Sequence, residues 1–87
     1  YYYRYMDKSF HLQKLGQAFK AMRNNRGLTQ EVLAGLAGVT RLKVIAMEAG
    51  RSSVAMESYA RLAGALGAEL TLSPRTRPTL DELKAFQ

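Results

Sequence analysis

The chain has 87 residues and no cysteine, so we expect a single domain without disulfide bonds or thiolate metal sites. His11 is the only histidine and there is no glycine-rich phosphate loop, so we expect no metal site, cofactor or enzymatic activity. The net charge of +6 resides in residues 1–61, where ten basic residues outnumber four acidic ones, and such a domain favours a polyanionic partner, most often nucleic acid.

The first predicted helix covers residues 9–25 and follows an N-terminal extension at residues 1–8. "MDKSF", which begins at Met6, resembles the start of a natural protein. Two origins of residues 1–5 therefore stay open: they belong to the natural protein, or they are an extension placed before its start. Apolar residues recur at spacings of three and four, which is the helical period. The residues assigned to the inward side are Leu12, Leu15, Phe19, Met22 and Arg26. Gly27 is expected to end the helix in the left-handed conformation.

Two short helices follow, joined by a glycine turn. Thr29 is expected to cap the second helix, predicted at residues 30–37, and its inward residues are Val32, Leu33 and Leu36. Gly38 permits the positive φ of the turn, and Thr40 is expected to cap the third helix, which Gly50 ends.

A fourth helix, capped by Ser52 or Ser53, is predicted to close at Gly67. Its inward residues are predicted to be Met56, Tyr59, Leu62 and Leu66. In residues 68–73 the apolar period shortens to two, which indicates a strand. The tail at residues 74–87 has two prolines and the sequence "TLDE", a capping box that precedes a short helix.

The second and third helices meet the requirements of a helix-turn-helix. Ala34 is small where the two backbones approach, Gly38 turns the chain four residues later, and Val44 follows six residues after that. The stretch from Leu15 to Leu66 resembles the Xre or Cro-like repressor family through "LGQAFKAMRNNRGLTQEVLAGLAGVT" and "LAGALG". It also matches the family at Val44, Met47, Glu48, Gly50 and Arg51. The resemblance implies an all-α, five-helix-type, lambda-repressor-like DNA-binding domain over residues 9–67.

The third helix has an unusual outward side. On a helical wheel its core side carries Val44, Met47 and Glu48. The outward ridge is centred on Leu42 and Ala46, and Arg41 and Lys43 lie at its edges. The two basic residues suit guanine edges or phosphates, whereas the apolar ridge offers contact only to groups such as thymine methyls. Members of the family usually have polar residues here, so base readout by this ridge is open, and a protein-binding ridge is the alternative.

Eight residues are predicted to contact DNA. By resemblance Gln30 grips the DNA backbone at the start of the second helix, where free N–H groups and the helix dipole favour an anion. The full set is Gln30, Thr40, Arg41, Leu42, Lys43, Ala46, Arg51 and Ser52. Arg26 and Lys20 add long-range attraction.

One ion pair is expected inside the domain. Arg23 lies at the edge of the inward side of the first helix, and Glu48 lies at the core edge of the third. Members of the family often pair an arginine and a glutamate at these positions. We therefore expect a salt bridge that locks the first helix to the third, the alternative being two solvated charges.

The strand at residues 68–73 has no second strand in its own chain. Because unpaired backbone groups are costly, we expect it to pair antiparallel with its copy across a two-fold axis. The resulting homodimer would have an intersubunit two-stranded sheet, with Leu70 and Leu72 packed on helices of both subunits. The tail at residues 74–87 is expected to be flexible and to order against a partner protein.

"AELTLSPRTRPTLDEL", at residues 68–83, resembles more narrowly the HipB-like antitoxins. The leading interpretation is a sequence-specific transcriptional repressor that is also an antitoxin. The resemblance implies that it neutralises a HipA-like serine/threonine kinase toxin and represses their shared operon. The expected partners are a palindromic double-stranded operator, a second copy of the chain and that kinase.

Two alternatives stay open: a stand-alone or phage-type regulator of the same family, and a protein-interaction module without DNA binding. No apolar run approaches the roughly 20 residues of a membrane span and no signal peptide is visible. The expected location is therefore the bacterial cytoplasm, in association with the nucleoid.

Overall fold

The computed structural model describes residues 8–73. This part of the chain contains four helices and no strand: α1 (Lys8–Asn25), α2 (Gln30–Ala37), α3 (Arg41–Glu48) and α4 (Met56–Ala65). The predicted all-α architecture is therefore confirmed, with α2 and α3 joined as in a helix-turn-helix. None of the described helices is long and apolar enough to cross a membrane.

Two expected elements are not seen in these residues. Residues 68–73 form neither helix nor strand, and a strand is recognised by its hydrogen-bonded ladder, which needs a second strand. A fifth helix is also absent from the described part. The short helix predicted in the tail at residues 74–87 lies outside the described residues.

The core lies between the four helices and contains mostly aliphatic and small side chains. Its buried apolar residues are Phe19, Leu33, Ala34, Ala37, Val44, Met47, Tyr59, Leu62, Ala63 and Leu66. Val44 and Met47 are fully buried, as the wheel of the third helix predicts. The rings of Phe19 and Tyr59 lie 6.0 Å apart between centroids, which joins α1 to α4 in the centre of the core.

The inward side of α1 is narrower than the sequence predicts. Phe19 is buried and Leu15 is half-buried, but Met22 and Arg26 are exposed, so their inward assignment is wrong. Arg23 is buried instead. Because residues four apart lie one above the other on a helix, Phe19 and Arg23 define a single buried stripe, and Met22 stands at its margin.

The inward side of α2 differs from the prediction at two of its three residues. Leu33 is buried as predicted, but Val32 is exposed and Leu36 is 61% exposed. The small residues Ala34 and Ala37 lie in the core instead. Helices whose backbones approach closely need small side chains at the contact, so Val32 and Leu36 are directed away from it.

Two threonines cap the paired helices as predicted. The Thr29 hydroxyl oxygen accepts a hydrogen bond from the Val32 amide at 3.1 Å, and the Thr40 hydroxyl oxygen accepts one from the Lys43 amide at 3.2 Å. Between the helices Gly38 adopts φ 72°, a conformation that glycine tolerates without steric cost. These contacts satisfy amides that would otherwise lack partners at the helix starts.

The start of α4 differs from the prediction. The helix begins at Met56, and its N-cap Ala55 makes no side-chain hydrogen bond. Ser52 and Ser53 stay exposed in the preceding loop, so the serine cap is wrong because the helix begins later than a cap at either position requires. Met56, predicted inward, is exposed in the first turn. The other predicted inward residues are buried: Tyr59, Leu62 and Leu66.

α1 approaches the end of α3 closely at Gly16. A Cβ atom at Gly16 would collide with the carbonyl oxygens of Met47 and Glu48, and would lie 2.7 Å from the latter. A glycine is therefore required at this crossing. The contact fixes the C-terminal end of α3 against α1 and leaves its N-terminal end toward solvent.

Candidate nucleic-acid interface

The first turn of α3 is exposed on the surface of the domain. After the N-cap Thr40, the side chains of Arg41, Leu42 and Lys43 are all exposed, and that of Leu42 is 76% exposed. Ala46, one turn later, is half-buried. The outward ridge is thus most accessible at its N-terminal end, where an apolar tip stands between two cations.

A shallow concavity lies on the Arg41 side of α3. It is lined by Lys20, Arg23, Leu28, Thr29, Gln30, Glu31 and Arg41. Within residues 8–73, Lys20 and Arg41 form no ion pair. Thr29 and Gln30 bring the start of α2 to the same place, where backbone N–H groups carry partial positive charge. The concavity therefore suits an anion, although Glu31 reduces its positive potential.

A second concavity lies on the Lys43 side. It is lined by Gly38, Val39, Thr40, Lys43, Ala55, Glu57, Ser58 and Arg61. Arg61 donates a 2.9 Å hydrogen bond to Glu57, four residues earlier on α4. In the part of the chain that the structure covers, Lys43 has no acidic partner. Both flanks of the first turn of α3 are thus positively charged.

Arg51 and Ser52 lie apart from these concavities. Both residues are exposed in the loop after α3, and neither lines either concavity. α3 has eight residues, so its two ends are about 12 Å apart. The structure thus brings Gln30, Thr40 and the first turn of α3 together, but leaves Arg51 and Ser52 near the other end of that helix.

Behind this surface the structure brings Arg23 and Glu48 together as a buried pair. Arg23 donates from Nε to Glu48 Oε2 at 2.7 Å and from Nη2 to Oε1 at 3.1 Å. The side chains are only 10% and 4% exposed. The hydrogen bonds to Glu48 raise the pKa of Arg23 above its ordinary value despite the opposing effect of burial. The guanidinium therefore stays charged at every accessible pH.

Two further contacts extend the ion pair to the start of α2. Arg23 Nη1 donates to the carbonyl oxygen of Leu28 at 2.8 Å, and Gln30 Nε2 donates to Glu48 Oε1 at 3.1 Å. Arg23, Leu28, Gln30 and Glu48 thus form one hydrogen-bonded network across α1, α2 and α3. Gln30 lines the first concavity, so the network reaches the surface there.

Residues 14–83 match the family described as a helix-turn-helix domain, and this match covers most of the chain. The chain belongs to this helix-turn-helix family. Over 47 residues it is also 51% identical to an uncharacterized HTH-type transcriptional regulator of Methanothermobacter thermautotrophicus. That alignment covers 54% of this chain and 68% of the relative. The two similarities support a role in DNA-binding transcription regulation.

The helix-turn-helix domain also has an apolar surface away from α3. A small cavity of about 90 Å³ is lined by Leu15, Ala18, Phe19, Met22, Ala63, Ala68, Glu69 and Leu70. Leu70 packs against the core, whereas Leu72 is 100% exposed. The two residues predicted to form a dimer contact therefore have different environments in the single chain.

Two features of the helix-turn-helix surface were not predicted. The hydrogen bond of Gln30 to Glu48 joins residues 18 apart, and no spacing between neighbouring residues predicts such a contact. Arg61 was not assigned to the site either, although its pairing with Glu57 follows from the i,i+4 spacing. Its position beside Lys43 depends on how α4 packs, which is a tertiary property.

The described residues of the helix-turn-helix domain contain no group of three or more His, Cys, Asp or Glu side chains that could hold a metal ion. The polar residues that line the two concavities are mostly cations, an amide and hydroxyls, beside the carboxylates of Glu31 and Glu57. This set of groups is suited to holding phosphate oxygens.

Proposed function

We propose that the chain is a sequence-specific DNA-binding transcriptional repressor. The observation that carries the proposal is the exposed first turn of α3, flanked by two positively charged concavities in a domain of the helix-turn-helix family. In this arrangement α3 enters the major groove, and the two concavities receive the phosphates on either side of it. Positive charge supplies most of the affinity, while the side chains of α3 supply selectivity.

The residues of the first turn have different roles. Arg41 and Lys43 reach phosphates or guanine edges, and Leu42 contacts a thymine methyl at the centre of the turn. Ala46 is half-buried and allows the groove wall to approach closely. Because this side of α3 has few hydrogen-bonding groups, part of the specificity comes from DNA shape and from the spacing of the half-sites.

The remaining predicted contacts are to phosphates. Gln30 and Thr40 stand at the starts of α2 and α3, where helix N-termini favour anions. Arg51 and Ser52 contact a phosphate farther along the groove, beyond the C-terminal end of α3. Such contacts fix the orientation of the domain on the duplex without reading its sequence.

The repressor acts as a homodimer. The two copies pair through residues 68–73, which form no ladder within the described chain. Leu70 is already packed on its own core, and the fully exposed Leu72 is free to pack on the other copy. Two-fold symmetry then gives a palindromic operator with half-sites about one helical turn, roughly 34 Å, apart or a multiple of it.

The finer proposal is that the repressor is the antitoxin of a toxin–antitoxin module. It rests on the resemblance of residues 68–83 to HipB-like antitoxins. The partner would be a HipA-like serine/threonine kinase, which the antitoxin holds inactive while repressing the shared operon. Deleting residues 74–87 is expected to spare DNA binding and to abolish neutralisation of a kinase encoded by the neighbouring gene.

One observation favours a second candidate function, that of a protein-interaction module without DNA binding. Leu42 is 76% exposed in the first turn of α3, and apolar side chains of this kind are common in protein interfaces.

A third possibility keeps DNA binding but has no toxin. If no kinase gene lies beside the gene for this chain, the chain would be a stand-alone or phage-type regulator of the same family.

Binding to the DNA upstream of the gene, measured by gel shift across a range of salt concentrations, tests the proposal. The logarithm of the affinity should fall steeply with the logarithm of salt, because about six to ten phosphates are neutralised per dimer. Arg41→Ala and Lys43→Ala should each weaken binding. Lys14→Ala is the matched control, because Lys14 is exposed on α1 and lines neither concavity. No binding to DNA would favour the protein-interaction module, whereas equal losses for all three variants would mean that the first turn of α3 makes no special contact with DNA.

A further inference from the structure

We propose that Glu48 orients the side chain of Gln30 for contact with a DNA phosphate, in addition to its part in the buried ion pair. The inference rests on the proposed DNA-binding function, because it assigns Gln30 to a phosphate. It makes Glu48 a positioning residue, which acts on DNA through Gln30 and does not touch DNA itself.

The direction of the Gln30 carboxamide follows from the chemistry of its partner. Its Nε2 lies 3.1 Å from Glu48 Oε1. A carboxylate accepts hydrogen bonds and cannot donate them, so the nitrogen of the carboxamide must face Glu48. Glu48 is buried and is itself held by two hydrogen bonds from Arg23, so this acceptor has a fixed position.

The contact leaves one suitable donor on Gln30. Its Nε2 has two hydrogens, and Glu48 takes one of them. Phosphate oxygens accept hydrogen bonds, so only the second N–H of this side chain suits a phosphate. Gln30 is half-buried and lines the first concavity beside Lys20 and Arg41. The side chain is thus ordered before DNA arrives, which reduces the entropy lost on binding.

The network also sets the position of the backbone contact relative to α3. Glu48 is the last residue of α3, and Gln30 is the first residue of α2. Arg23 ties the connecting segment to the same carboxylate through the carbonyl oxygen of Leu28. The phosphate donor and the groove-binding helix are therefore joined through one buried group, so the DNA backbone and bases are presented in a fixed geometry.

The Glu48→Gln variant provides a test, because two explanations predict opposite changes in its affinity for DNA. Removing a negative charge close to DNA, with no other effect, would tighten binding. Loss of positioning should instead weaken binding about tenfold, the usual size for a hydrogen bond to a charged group. The probe is mixed-sequence duplex DNA at low ionic strength, since phosphate contacts do not require the operator. Binding is measured by fluorescence anisotropy at a temperature where circular dichroism shows each variant folded.

A double-mutant cycle separates positioning from a general loss of structure. If Glu48 acts through Gln30, then Glu48→Gln should cause no further loss in a Gln30→Ala background. Leu62→Val is the matched control, because Leu62 is fully buried on α4 and takes no part in the network or in either concavity, so the substitution destabilises the fold alone. It should lower the melting temperature while changing DNA affinity by less than about twofold. Additive losses from Gln30→Ala and Glu48→Gln, or unchanged or tighter binding by Glu48→Gln, would overturn the positioning role.

A measurement on the unaltered protein covers the case in which Glu48→Gln does not fold. The side-chain amide of Gln30 should be rigid in nuclear relaxation experiments without DNA, whereas that of the exposed Gln17 on α1 should be mobile. Equal mobility of the two amides would contradict the inference. If the amide of Gln30 is rigid but the protein binds no duplex DNA, the proposed function fails, and the inference fails with it. If DNA binds and the amide is mobile, only the inference fails.

Discussion

Tyr59 carries a polar group in an apolar environment. Its ring packs against Phe19 in the core, and its hydroxyl is buried without a hydrogen-bond partner among residues 8–73. Burial raises the pKa of Tyr59 above its ordinary value, because the charged form is poorly solvated there. A buried hydroxyl without a partner costs about 1–3 kcal/mol, so this side chain weakens the core that it fills.

Replacing Tyr59 by phenylalanine should therefore stabilise the domain by about 1 kcal/mol, measured by chemical denaturation at neutral pH. The two proteins should also differ in alkali. Above pH 10.0, the ordinary pKa of tyrosine, the unfolded chain releases the phenolic proton while the folded chain retains it. The free energy of unfolding of the unaltered protein is thus highest below that pH, as far as this group is concerned, and falls as pH rises toward the higher pKa of the folded state. The difference in free energy of unfolding between Tyr59→Phe and the unaltered protein should therefore increase in alkali. A difference that stays constant with pH would contradict the pKa shift.

The two arginine–glutamate pairs found among residues 8–73 should differ in their effect on stability. Arg23→Met leaves Glu48 buried without its cation and should lower the free energy of unfolding by about 3–5 kcal/mol. Arg61→Met breaks a pair whose side chains are 51% and 72% exposed, and should cost less than about 1 kcal/mol. Thermal and urea unfolding of both variants would test this contrast. A near-native melting temperature for Arg23→Met would mean that the ion pair with Glu48 does not contribute to the stability of the domain.

At the scale of elements, α3 offers a test of its apolar tip. If Leu42 packs on a thymine methyl, Leu42→Ala should cost about 1 kcal/mol of affinity for the operator. The same substitution should cost almost nothing when that thymine is replaced by uracil, since only the methyl group is removed. Competition gel shifts on the two duplexes would measure the difference. Equal losses on both duplexes would mean that Leu42 does not touch the base and instead supports the fold or a protein contact.

Local rules predicted the paired helices well. The threonine caps of α2 and α3 and the glycine turn between them each depend on a few neighbouring residues. The core side of α3 was also predictable, because Val44, Met47 and Glu48 recur at helical spacing. These features are determined by backbone chemistry and periodicity, both of which are visible in the sequence.

The errors arose where packing between helices decides the outcome. Val32 and Leu36 look like core residues by hydropathy, yet α2 approaches its neighbours through Ala34 and Ala37. The ion pair of Arg23 with Glu48 is not one of these errors, since it is expected from the sequence, although the packing of α1 against α3 decides it. The bond of Gln30 to that glutamate could not be predicted for the same reason, since it depends on the relative placement of α2 and α3.

At the scale of the whole molecule, the proposed dimer makes a prediction about residues 68–73. The unaltered protein should sediment as a dimer at micromolar concentration, and Leu72→Asp should make it a monomer. Because Leu72 is fully exposed in the single chain, this substitution should leave the fold of each subunit intact. Leu36→Asp, at an exposed leucine on α2, is the control and should remain dimeric. A monomeric unaltered protein would rule out pairing through this segment.

The contact of Gly16 with the carbonyl end of α3 has a consequence for local unfolding. An isolated helix of eight residues is far too short to persist in water. α3 therefore exists only while α1 and α2 pack against it, and the domain has no partly unfolded state in which both are melted and α3 survives. The amides of α3 should exchange with solvent only through opening of the whole domain. Heating should accordingly abolish DNA recognition and global structure in a single transition.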